Sequence, residues 1–122
     1  MPSILIWVIA AAVLGGCVAA KLPDEMYVSE SITLQKAQED AIRSAVLARL
    51  KDPESARFGE IKAGVNSNGK ILACGLVNSK NSYGGYTGMQ PYSVEMLGET
   101  VTIQGPSELL ANLCERQGLM PR

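Results

Sequence analysis

The chain has 122 residues, with 11 Lys and Arg against 12 Asp and Glu and a formal net charge of −1. That balance leaves no basic stripe of the kind that tracks nucleic acid. Histidine is absent, which removes the commonest metal ligand and general base.

The chain opens with an apolar run, Ile4 to Ala20, before its first charged side chain at Lys21. As a helix this run would extend about 26 Å, slightly short of the ~30 Å hydrocarbon core of a bilayer but within the tolerated range. Three fates are open. Leu14-Gly15-Gly16-Cys17 has the spacing of a lipobox, in which the Cys17 thiol is acylated and becomes the new N-terminus. Val18-Ala19-Ala20 has the small residues of an ordinary signal-peptide cleavage site. Uncut, the segment is a membrane anchor. Met1-Pro2-Ser3 carries no Lys or Arg, so the orientation signal before the apolar run is weak. Each fate puts the rest of the chain outside the cytoplasm, facing the periplasm at the cell envelope. The expected organisation is a leader over residues 1–20, a tether over 21–31 and one small domain over 32–122, large enough for a single core.

Setting Cys17 aside leaves two of the three cysteines. In an oxidising space Cys74 and Cys114 are a candidate disulfide. It would close a loop of about 40 residues and contribute roughly 4 kcal/mol in the chain-entropy model. The alternative is two buried free thiols. A reactive thiolate has no histidine to support it.

After the tether, Ser29, Ser31 and Thr33 are candidate N-caps for a helix over about 32–51. Ile42, Val46 and Leu50 recur every four residues there, with Ala41 and Ala45 beside them. Asp52-Pro53 should end it, because the residue before a proline is pushed out of the helical region. Arg57 to Asn66 reads as a strand, Ser67-Asn68-Gly69 as a turn, and Lys70 to Asn78 as a second strand. In the second strand Ile71, Ala73, Gly75 and Val77 share one face, and Leu72, Cys74 and Leu76 the other. A Gly-rich loop follows. Tyr92–Leu97 and Thr100–Gln104 form a hairpin across Gly98-Glu99. Pro106-Ser107-Glu108 has helix-start chemistry, Leu109, Leu110, Leu113 and Cys114 give that helix an apolar face, and Gly118 ends it. The predicted fold is α+β: a helix, an antiparallel sheet of about four strands, and a C-terminal helix.

Catalytic motifs are weak. Gly64 to Lys70 nearly matches a phosphate-binding loop, but Ile71 stands where Ser or Thr should hold magnesium, and the segment enters a strand rather than a helix. Ser67 and Lys70 have Ser-x-x-Lys spacing within the same turn. Asp24-Glu25, Glu39-Asp40 and Asp52 with Glu54 lie in the tether, on a polar helix face and at a helix end, without the convergence that paired-carboxylate hydrolysis needs. No cofactor and no metal site are expected.

The segment from Asn78 to Tyr92 carries recognition chemistry. Tyr83, Tyr86 and Tyr92 supply rigid amphipathic area, Asn78 and Asn81 supply donors and acceptors, and Gly84, Gly85 and Gly88 permit close backbone approach. The competing view is a crossover that needs positive φ and lays its tyrosines over the edge of the core.

Two stretches carry a resemblance: Leu50-Lys51-Asp52-Pro53-Glu54-Ser55-Ala56-Arg57-Phe58, and Cys74-Gly75-Leu76-Val77-Asn78-Ser79-Lys80-Asn81-Ser82-Tyr83-Gly84-Gly85-Tyr86-Thr87-Gly88. Over about residues 34–94 the chain resembles a family of small, uncharacterised bacterial envelope proteins, many of them described only as hypothetical proteins or candidate lipoproteins. It departs at Tyr92, where the family usually has Phe, and in the lack of basic residues before the leader. The resemblance implies an exported α+β domain and no particular activity.

The expected function is a non-enzymatic, membrane-anchored envelope domain that binds a protein or cell-wall partner through the Asn78–Tyr92 loop. Two alternatives are a small hydrolase or wall-modifying enzyme built around the same loop with Lys80, and a structural accessory subunit of an envelope or secretion assembly.

Overall fold

The computed structural model describes residues 27–122. The leader, Cys17 and most of the expected tether lie outside the described residues. The domain is α+β, with five antiparallel strands in the order in which they occur in the chain. They are β1 (Glu30–Ile32), β2 (Arg57–Val65), β3 (Ile71–Asn78), β4 (Gln90–Leu97) and β5 (Thr100–Gln104). Helix α1 (Lys36–Leu47) lies between β1 and β2 in sequence, and α2 (Ala111–Arg116) follows the sheet.

β1 is the fifth strand, one more than expected. Glu30, Ser31 and Ile32 pair with Val65, Gly64 and Ala63, and Ser29 N and Oγ both donate to Val65 O, at 2.9 and 3.0 Å. Ser29 and Ser31 therefore serve the sheet edge rather than a helix cap. Helix α1 starts at Gln35 instead, whose N–H is accepted by Gln38 Oε1 at 2.9 Å. This reciprocal arrangement is a capping box built from glutamines.

Helix α1 forms because Ile42 and Val46 bury one stripe completely, while Lys36–Asp40 (2.8 Å) and Arg43–Glu39 (3.8 Å) pair at i,i+4 on the exposed surface. It stops at Leu47, short of Asp52-Pro53. The last turn tightens through bonds from Arg49 N to Val46 O and from Leu50 N to Leu47 O, and Leu50 swings against the core. Asp52 lies outside the helical region, with φ −126° and ψ 82°, in keeping with the proline that follows it. Pro53–Ser55 then form one 3-10 turn.

The β2–β3 hairpin has a three-residue loop. Asn66 N donates to Lys70 O, and Asn66 Oδ1 accepts from Asn68 N and Lys70 N, each at 2.9 Å. Only Gly69 adopts positive φ (78°), so this is a turn closed by a left-handed glycine rather than a two-residue Asn-Gly turn. The phosphate-loop look-alike is thus a β-turn. The β4–β5 hairpin closes across Gly98-Glu99 as expected, with Leu97 facing Thr100.

Strand alternation sorts the sheet into two faces. On one, Ala63, Ala73, Val77, Tyr92, Val94 and Met96 pack with Ile42 and Val46 into the main core. On the other, Leu72 and Cys74 pack with Cys114 and Leu119 in a smaller cluster. The Cys74 and Cys114 α-carbons are 6.0 Å apart, within the range that a disulfide spans, so the geometry supports a bond between β3 and α2. The C-terminal segment begins with Ser107 Oγ accepting from Leu109 N at 3.2 Å. It closes at Gly118 (φ 70°), where Leu119 N donates to Cys114 O. Leu109 does not join its apolar face: it is 89% exposed. The first turn there is a 3-10 turn (Glu108–Leu110), whose pitch of three residues points Leu109 away from the sheet.

Candidate functional site

Beyond β3 and before β4 the chain continues as a narrow hairpin over residues 79–88. Lys80 and Tyr86 pair as an antiparallel bridge, and Thr87 N donates to Ser79 O at 3.2 Å. The tip is closed by Asn81, whose N–H reaches Gly85 O at 2.8 Å and whose C=O accepts from Gly84 N at 3.1 Å. Its Oδ1 also accepts from Tyr83 N (2.9 Å) and Gly85 N (3.2 Å). Asn78 Oδ1 accepts from Gly88 N at 3.0 Å. Gly84 and Gly88 hold φ of 80° and 91°, in the region that favours glycine. Two residues expected to offer polar groups to a partner, Asn78 and Asn81, thus spend their carbonyl oxygens on the hairpin's own backbone.

The base of the hairpin docks on the 3-10 turn after α1. Ser55 Oγ accepts from Lys80 N at 2.8 Å and donates to Asp52 O at 2.7 Å. Tyr86 Oη donates to Ser55 O at 3.1 Å. The Arg57 guanidinium sits 4.5 Å from the centre of the Tyr86 ring and Lys80 Nζ 5.6 Å from it, within cation–π range. Ser55 therefore joins the Asp52-Pro53 segment to the Asn78–Gly88 segment. Nothing in the spacing of the sequence foreshadows that junction.

The three tyrosines of the loop part company. Tyr83 is 97% exposed at the tip. Tyr86 is anchored at the base. Tyr92 is 0% exposed and corrects the expectation that it touches a partner. It lies in the buried run of β4, in phase with Val94 and Met96, and its ring lies across Gly75 of β3. Its Oη has no hydrogen-bond partner among the described residues, and burial pushes its phenol up to about 12.

Among the described residues no group of three or more His, Cys, Asp or Glu could hold a metal ion. Glu39 and Asp40 are occupied by Arg43 and Lys36. Lys70 pairs with Glu95 across the sheet at 3.5 Å, away from Ser67. Asp24 and Glu25 lie outside the described residues.

No family model matches the chain, and searches of curated proteins and of solved structures return no match.

Proposed function

We propose that this is a non-enzymatic binding domain of the cell envelope, held at a membrane by its leader through Cys17 or an uncut helix, which captures a protein partner with the tip of the hairpin. The observation that carries the reading is Tyr83: a large amphipathic side chain, 97% exposed, on a backbone fixed by two bonds to Asn81 Oδ1. Such a residue contributes contact area while losing little conformational freedom on binding. Leaving a tyrosine in water gives the isolated domain nothing, since its own folding would be served as well by Ser or Asn.

The resemblance to small envelope proteins supports the same setting. The groove beside Lys80 contains no carboxylate among its lining residues, which favours binding over acid–base chemistry at that lysine.

The test is site-specific photo-crosslinking from position 82 in intact cells, carried out with Tyr83 present and with Tyr83→Ala. A single crosslinked protein that is lost with Tyr83→Ala, at unchanged melting temperature, is the expected outcome. Equal capture by Tyr83→Ala removes the tip as the binding surface.

A further inference from the structure

We infer that the groove between the end of α1 and the base of the hairpin is a binding site for a phosphate group. The groove has a volume of about 250 Å3, and Arg49, Lys51 and Lys80 all line it. Arg49 and Lys51 follow α1, whereas Lys80 follows β3. The docking of the hairpin on Ser55 brings these separate segments to one place.

Among the described residues the three cations have no counter-ion. No carboxylate lines the groove, and the ion pairs among the described residues engage Lys36, Arg43 and Lys70 instead. Like charges around one groove repel each other, and an anion placed among them relieves that repulsion.

Arg49 is oriented before any ligand arrives. Its Nε donates to Gly105 O at 2.7 Å and its Nη1 to Ile103 O at 3.2 Å. Both acceptors are neutral carbonyls, so the charge stays uncompensated. The guanidinium is a rigid fork of five N–H donors, and those two bonds leave the others for a ligand. Asn81 adds a neutral donor: with Oδ1 committed to the Tyr83 and Gly85 amides, its Nδ2 is left over on a residue that lines the groove. Ser79 and Gln90 add two more polar side chains.

The chemistry favours phosphate over carboxylate. A carboxylate is planar, singly charged and satisfied by one arginine fork. Three cations approaching from different segments match a tetrahedral group of charge close to −2. The volume lies just under the usual range for small-molecule sites. It accommodates a phosphate with a small organic substituent, not a whole nucleotide cofactor. That phosphate reaches the groove either as a soluble ion or ester or as a lipid headgroup. The inference is independent of Tyr83 and of any protein partner.

The test is titration of the full-length chain, in a non-ionic detergent at constant ionic strength, with inorganic phosphate, glycerol 3-phosphate and short-chain phosphatidic acid below its micelle concentration. Saturable binding with a Kd of about 1 mM or tighter is expected. The Lys51→Gln/Lys80→Gln double variant should bind about tenfold more weakly, as should Gln90→Glu, which places a carboxylate in the groove. Lys36→Gln and Tyr83→Ala should bind like the parent chain. Preference for the lipid over the soluble phosphates, or the reverse, identifies the source, and either preference upholds the site. Absence of saturation by all three probes, or equal affinity in the double variant with its melting curve intact, overturns the inference.

Discussion

The phenol of Tyr92 occupies the space that a β-carbon on Gly75 would fill. The two residues face each other across β3 and β4, and a methyl group on Gly75 would run into Oη and Cζ of the ring. The glycine is there for the tyrosine, since Gly75 sits in the middle of a strand with no positive φ. Glycine inside a strand ordinarily weakens it; here it makes room for the largest buried side chain of the domain. Gly75→Ala should therefore lower stability by about 1–3 kcal/mol as an overpacking change, read as a shift of the urea midpoint with unchanged slope. Wild-type stability in this variant would mean that the ring can move aside.

Tyr92→Phe should behave in the opposite sense. The hydroxyl is buried without a partner, so removing it discards a desolvation cost and no bond. The expected change is between zero and about 1–2 kcal/mol of added stability.

The same phenol makes stability fall at high pH. Its folded value is raised to about 12 from an ordinary value of 10.0, so between these two values the unfolded chain has released the proton and the folded chain retains it. The unfolded state binds fewer protons there, and stability decreases as pH rises. The loss should begin near pH 10, level off near pH 12, and approach about 2–3 kcal/mol. The measurement that isolates the effect is the difference between parent and Tyr92→Phe across pH 9 to 12. Parallel curves would remove Tyr92 as the cause.

Loss of the Cys74–Cys114 link should cost far more. The two residues are separated by 40 positions, which corresponds to about 4 kcal/mol of unfolded-state entropy. Both are fully buried, so reductant should act slowly on the folded protein. Cys74→Ala/Cys114→Ala should melt well below the oxidised parent, and intact mass before and after alkylation reports whether the bond is present in the purified chain.

At the hairpin, Asn81→Ala should loosen the tip without unfolding the domain. The variant frees the Tyr83 and Gly85 amides, which should exchange with solvent about tenfold faster or more, while β3 and β4 amides stay protected. Partner capture should weaken through lost pre-organisation even though Tyr83 is still present. Unchanged exchange at those two amides would show that the turn is held by its backbone bonds alone.

Most of the sheet was legible because alternation is a strong signal. The faces of β3 follow directly from Ile71, Ala73, Gly75 and Val77 against Leu72 and Cys74, and Gly98 and Gly69 mark their turns. The strand β1 was not legible: three residues, two of them exposed and polar, carry no period. The end of α1 was overrun because Leu50 continues the i,i+4 series although its backbone has already left the helix. In the loop, Tyr83, Tyr86 and Tyr92 look alike by composition. Tyr92 could have been separated by its phase with Val94 and Met96, which places it on the core face. The difference between Tyr83 and Tyr86 depends on Ser55, a contact over 31 residues that no local pattern encodes. Arg49, Lys51 and Lys80 were likewise invisible as a set, since they meet only after the hairpin has docked.

Strand order that repeats chain order has a consequence for assembly. From β2 to β5 each strand's partner is the next one along, so most of the sheet can zip from one turn to the next with short loop closures, the kind of topology that folds quickly. The contact between Cys74 and Cys114 lies outside that zipper, because it joins the second of those strands to a helix made after the last. A bond formed there would tie a helix to a sheet whose strands need no help to find each other: it would be a latch closed at the end, not a guide rail along the way.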